Sequence, residues 1–299
     1  HESRGSVNAA NGLDPTEFDQ TNAFAGFLYK PNRLGVELKG TMADYNFKDG
    51  ATSTRAVINN DDRDRIDYVE SLRIGYEFVP DYEGYVKGSL NQRSYDQTRD
   101  DAGFARSSKG YTAIAGVKLG FSQITSLDVY GGYQNQDYDD ARLPNVNGPT
   151  FGAQLNLSPA REWNISAYVN RSIEETTQAN FSGYVVTTVG AEAKYKLFPA
   201  FEIRAGASYS LNDYEKIATA AADREDKMFD ASLGAKYYFS RNYYVDGYYK
   251  HKLRNSNAAN SDYTNNLVFV KLGAQYLSLI HISEPTRLRR ISYAVFCLK

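Results

Sequence analysis

The chain has 299 residues, with 34 Lys+Arg against 36 Asp+Glu, a balance that excludes bulk electrostatic attraction to nucleic acid. Its 25 Tyr and 23 Gly, beside only 8 Pro and 2 Met, form a β-rich palette, because aromatic rings suit pleated surfaces and glycine suits turns and close strand contacts. No run of about 18 apolar residues exists, which excludes a transmembrane helix.

In chain order, 1–17 carries no initiator Met and no signal peptide and reads as the remnant of an extracellular loop. Strands are expected at 18–29 and 33–47, joined by a short turn; the first does not choose a face clearly. A long polar stretch follows, 48–65, containing "NNDDRDR". Asp and Arg alternate there, and acid and base are likewise interspersed in "DREDK" at 223–227, so that they neutralise one another and a solvated loop is favoured over a divalent-cation site in both. The strand at 66–78 puts Ile66, Tyr68, Leu72, Ile74, Tyr76 and Phe78 on one face and Asp67, Arg73 and Glu77 on the other. That is the period of a pleated strand.

The pattern repeats. Strands are expected at 82–95, 111–121, 126–138, 150–157 and 163–173, then at 184–198, 201–212, 228–239, 243–252 and 264–276, thirteen in all. In 184–198, Val185, Val189, Ala191, Ala193, Tyr195 and Leu197 oppose Thr188, Glu192, Lys194 and Lys196. In 229–239, "FDASLGAKYYF" holds strict alternation with aromatic rings at both ends of its apolar face. A strand needs about 9–11 tilted residues to cross a bilayer, and interfacial rings mark the two water boundaries. Glu70 and His251 interrupt apolar faces and are read as lying near the outer rim. Short turns near 30–32, 80–81, 122–126, 158–162, 199–200 and 240–242 alternate with long polar loops at 48–65, 96–110, 139–149, 174–183, 213–227 and 253–262. This alternation describes an all-β, antiparallel up-and-down transmembrane barrel, with short turns in the periplasm and long loops outside. A propeller needs four short strands per repeat, and a soluble sandwich does not need rings at both ends of its apolar face.

Residues 277–299 break the pattern. They hold the only cysteine, Cys297, and "LSLIHISEPTR" resembles the translation of a synthetic sequencing-library adapter. The segment is set aside as a non-native tail, and the barrel domain is taken as 18–276. The cysteine-free remainder fits the periplasm and outer membrane, where stray thiols would be oxidised. A strand ending in the periplasm at 276 implies that 18–29 also runs that way. At least one earlier strand and a total of fourteen or more are therefore expected.

Several segments carry a resemblance. "NNDDRDRIDYVESLRIGYEF", "NQRSYD", "DDAGFARSSKGY", "GGYQNQDYDDARLPNVNGPTFGAQL" and "SIEETTQANFSGYVVTTVGAEA" resemble the outer-membrane β-barrel porin family of proteobacteria. The likeness continues through "SDYTNNLVFVKLGAQY". It implies an outer-membrane barrel of a Gram-negative bacterium and supplies no catalytic residues. Tyr276, preceded at alternate positions by Ala274, Leu272, Val270 and Val268, resembles the C-terminal signature that hands such barrels to the assembly machinery.

No catalytic, metal or cofactor pattern is present. Ser–His hydrolysis needs an imidazole; His251 is the only internal one before 277 and is read as a rim residue. The polar faces carry the candidate functional residues, a lumen lining of Arg73, Lys87, Arg93, Lys118, Glu192, Lys194, Lys196, Glu202, Arg204, Asp230, Lys236, Asp246, Lys250 and Lys271. So many charges cannot be buried dry, so water or cross-lumen pairing must satisfy them. The expected function is passive diffusion of small hydrophilic solutes, with outer-membrane lipid as the surrounding partner. The alternative is a non-conducting structural or surface-interaction barrel linked to polysaccharide export or adhesion.

Overall fold

A computed structural model describes residues 16–52, 54–178, 180–217, 222–259 and 261–275. The strands are β1 (Phe18–Tyr29), β2 (Leu34–Phe47), the two-residue β3 (Gly50–Ala51) and β4 (Val57–Ile58), β5 (Arg65–Val79), β6 (Tyr82–Tyr95), β7 (Ser108–Ser122) and β8 (Thr125–Tyr138). Next come β9 (Val146–Leu157), β10 (Trp163–Glu175), β11 (Phe181–Phe198), β12 (Phe201–Lys216), β13 (Glu225–Tyr238), β14 (Tyr243–Ser256) and β15 (Tyr263–Ala274). β3 and β4 form a small hairpin inside the loop after β2. The other strands make one antiparallel meander in chain order, with β1 and β15 as its edges among the described residues. Each expected strand is present. Several run further toward the long loops than periodicity suggests: β9 begins at Val146 and β12 continues to Lys216. Tyr276, the tail 277–299 and residues 1–15 of the expected loop remnant lie outside the described residues.

The sheet is polar inside and apolar outside. Leu90, Val268, Val270 and Leu272 are 64 to 77% exposed, whereas Arg106 and Asp226 are 1% and 0% exposed. That inversion suits a solvent of lipid tails, where the outer face packs against hydrocarbon and every backbone group pairs within the sheet. Glu70 is exposed on the outer face of β5. His251 meets the Asn266 carboxamide oxygen at 2.8 Å, and the same oxygen accepts from the Tyr249 hydroxyl at 2.6 Å.

The inner wall is thinned by tyrosines lying over glycines. Tyr85, Gly116, Tyr130 and Gly152 face one another in successive registers across β6 to β9. A Cβ on Gly116 would stand 2.6 Å from the Tyr85 ring and 2.7 Å from the Val129 carbonyl. The ring could swing away; the backbone oxygen could not. Gly116→Ala is therefore expected to cost about 1–3 kcal/mol, the range for overpacking, read as a lowered urea midpoint in detergent. A wild-type midpoint would contradict it.

Candidate functional site: the polar interior and its inward hairpin

Polar residues on alternate positions of adjacent strands line up as rows. The clearest crosses β11 to β15: Lys196 opposite Glu202, then Lys236, Asp246 and Lys271. Cation and anion alternate at each step. Lys236 reaches over the rings of Tyr238 and Tyr244, 4.7 and 3.9 Å from their centroids. Arg204 pairs with Asp246 and lies 3.8 Å from Glu202, while Lys250 is 3.7 Å from Asp230. Glu192, Lys194, Arg204 and Lys250 share one concavity; Lys194, Lys196 and Glu202 share another beside the short turns. On β5 to β8, Lys118 sits in register between Glu83 and Asp128, and Arg73 pairs with Glu83 at 2.6 Å. Arg73, Lys87 and Arg93 line a third, larger cavity of about 580 Å³ bounded by β5 to β10. The fourteen candidate residues thus fall into two separate groups along the wall, not into one centre.

The inward fold of one hairpin was not anticipated. β9 and β10 pair only from Leu157/Ile165 to Gly152/Asn170, although both strands continue. Beyond that point the β10–β11 hairpin parts from β9 and leans over the interior. β10 comes against β8 and β11 against β9, strands that are not its ladder partners in either case. Glu175, 8% exposed, pairs with Arg93 of β6 and accepts from the hydroxyls of Tyr95 at 3.4 Å and Tyr138 at 3.3 Å. In a flat sheet, β6 and β10 would stand about 19 Å apart at roughly 4.8 Å per strand. Their side chains meet because the sheet curls and the hairpin folds inward. Ile173 packs with Tyr138, Leu143, Val146 and Ile217, and Val185 packs against the same cluster. Val185 therefore faces the interior, correcting its assignment to the outward apolar face. Its alternation is intact; the ribbon carrying it has turned.

Long loops hold the hairpin tip. Arg106, before β7, is 1% exposed. It donates to the carbonyls of Thr176 (3.0 Å), Phe181 (2.6 Å) and Gln178 (3.1 Å), and its Nε donates to Asp100 at 2.7 Å. Arg224, before β13, reaches the Gln178 carboxamide from the other side and pairs with Asp226 at 2.9 Å. Asp226 also accepts from the hydroxyls of Tyr214 (3.2 Å) and Ser256. Asp140 accepts from the backbone N–H of Ala105 at 3.1 Å; its hydrogen bonds from Arg142 hold its carboxyl well below the usual carboxylate range. In the loop after β2, Arg63 lies over the Phe47 ring at 4.0 Å and Asp64 accepts from the Phe47 N–H at 2.6 Å. Burial, then the neighbouring Asp101 carboxylate, pushes the Asp62 carboxyl up. The solvated-loop reading of "NNDDRDR" and "DREDK" is thus corrected. Both stretches contribute buried arginines and acids that tie the long-loop rim together, because a guanidinium can satisfy several carbonyls and a carboxylate at once. Among the described residues no cluster of metal-ligating side chains occurs.

The family model described as Putative beta-barrel porin 2 matches residues 1–276. No curated protein matches the chain. Among solved structures, the copper transporter OprC is 11% identical with a TM-score of 0.49, matched over 86% of this chain and 49% of its own. The chain spans about half the length of that transporter. The P. putida toluene transporter TodX is 10% identical, with a TM-score of 0.39, over 87% of this chain and 89% of its own. The CymD monoaromatic hydrocarbon channel is 10% identical, with a TM-score of 0.35, over 87% and 88%.

Proposed function

This chain belongs to the Putative beta-barrel porin 2 family, and from that premise we propose that it is a passive diffusion channel for small hydrophilic solutes, with its long loops outside the cell. It is an outer-membrane β-barrel of a Gram-negative bacterium. The observation that carries the channel reading is the alternating row Lys196, Glu202, Lys236, Asp246 and Lys271 on a face turned away from lipid. A ladder of charges at strand spacing cannot be kept dry at acceptable cost, so water fills the interior beside it. Alternating signs leave no ring of like charge, and selectivity filters need such rings. Ion selectivity is accordingly weak. The barrel needs no enzymatic step or cofactor, and its assembly machinery reads the outward-facing pattern of β15.

The selectivity claim is testable. Lys194 and Lys196 have no ion pair among the described residues, whereas Arg204 does. Reversing the two lysines to Glu, with Arg204 left in place, is expected to shift preference toward cations without preventing assembly, since lumen substitutions tune selectivity. Reversal potentials across a salt gradient in planar bilayers read the change. An unchanged reversal potential would show that ions do not pass this wall.

A further inference from the structure

We infer that the cavity beneath the inward hairpin is a binding site for a small hydroxylated carboxylate of the sugar-acid kind, an inference that rests on the channel reading for how the solute arrives. The cavity of about 580 Å³ has a wall whose charges are nearly all matched. Arg73 holds Glu83, Arg93 holds Glu175, and Asp128 accepts from the Tyr85 hydroxyl at 2.8 Å. Two cations are the exceptions: Lys87 lines the cavity half-buried with no hydrogen bond or ion pair among the described residues, and Arg171 has the Thr187 hydroxyl but no carboxylate among them. Three further polar atoms of the lining are buried and unpartnered: the Gln134 Nε2, the Arg171 Nε and the Asn91 Oδ1. Gln134 is 6% exposed. Leaving such groups unpaired is costly unless something enters to meet them.

The unmet groups specify the chemistry. One amide donor, one amide acceptor and two cationic groups, the Lys87 ammonium and the Arg171 guanidinium, call for a ligand with hydroxyls and a carboxylate. Tyr85 and Tyr130 lie in register against Gly116 and Gly152. The Arg73 guanidinium covers the Tyr85 ring, 4.1 Å from its centroid, whereas Tyr130 lines the cavity and offers an apolar face to the carbon side of a sugar ring. Registers place Lys87 and Gln134 on different strands, with Ile114 and Gly132 between them.

The test is ligand-observed saturation-transfer NMR on the folded protein in detergent, titrating D-glucuronate, D-glucose and acetate. Glucuronate is expected to bind about tenfold more tightly than glucose, the effect of one charge-assisted hydrogen bond, and more tightly than acetate. Lys87→Gln, which disturbs no other pairing, should reduce the glucuronate preference to within about twofold. Gln134→Leu should weaken both sugars. Equal binding of glucuronate and glucose, or a preference untouched in a Lys87→Gln protein that keeps its heat-modifiable migration, would overturn the site. Planar-bilayer conductance measured in parallel separates the two ideas. Binding without conductance upholds the site and rejects the channel; conductance without the glucuronate preference rejects the site alone.

Discussion

Arg106→Ala is expected to lower the stability of the folded barrel by about 3–5 kcal/mol, the cost of breaking a buried pair and stranding its partner. The side chain is 1% exposed, as is its partner Asp100. Its loss also leaves the carbonyls of Thr176, Gln178 and Phe181 without their shared donor. The effect should reach function as well. Those carbonyls belong to the tip of the inward-leaning hairpin, so the variant should show raised single-channel conductance and faster proteolysis in the long loops. Arg142→Ala is the control. That guanidinium also bridges two loops, through Asp140 and the Gly103 carbonyl, but it is 53% exposed. Exposed pairs contribute about 0–1 kcal/mol. Equal losses for the two variants would mean that the buried clasp does not hold the hairpin.

Glu175→Ala is expected to be the second-largest perturbation and to act on selectivity. Glu175 neutralises Arg93 beneath the inward hairpin and accepts from Tyr95 and Tyr138. Removing it leaves a largely buried guanidinium without its carboxylate beneath the inward hairpin, where the field of one charge is weakly screened. Reversal potentials should move toward anions by more than the opposite shift of the Lys194/Lys196 variant, and conductance should rise as the hairpin loosens. Glu175→Gln keeps the acceptor oxygen while removing the charge. It should reproduce the selectivity change with a smaller rise in conductance. A wild-type reversal potential in both variants would show that ions do not pass beneath this hairpin.

Period-two alternation made the strands legible. Residues such as Leu72, Ile74 and Tyr76 could only be turned one way once the opposite face held Arg73 and Glu77, and a one-residue slip would have reversed them all. The charged rows were legible for the same reason. The inward hairpin was not. Ile173 and Val185 keep the phase of the lipid-facing residues below them, and nothing local announces that the ribbon leaves β9 at Gly152 and Asn170. Arg106 was equally hidden. In "DDAGFARSSKGY" it reads as one more loop cation, because its partners are carbonyls 70 to 75 residues away. Carbonyls are present at every position and leave no mark in a sequence. Gln134 was passed over among neighbouring amides; its significance lies in having no partner, which only the fold reveals.

The central claim is that the polar interior of this barrel conducts. The measurement that tests it most directly is single-channel recording of the folded protein in planar lipid bilayers, in symmetric salt. Discrete, ohmic openings with a weak preference between cation and anion are the predicted result, with larger openings in Arg106→Ala. A folded, heat-modifiable protein that inserts and shows no conductance, in either the parent or Arg106→Ala, would contradict it.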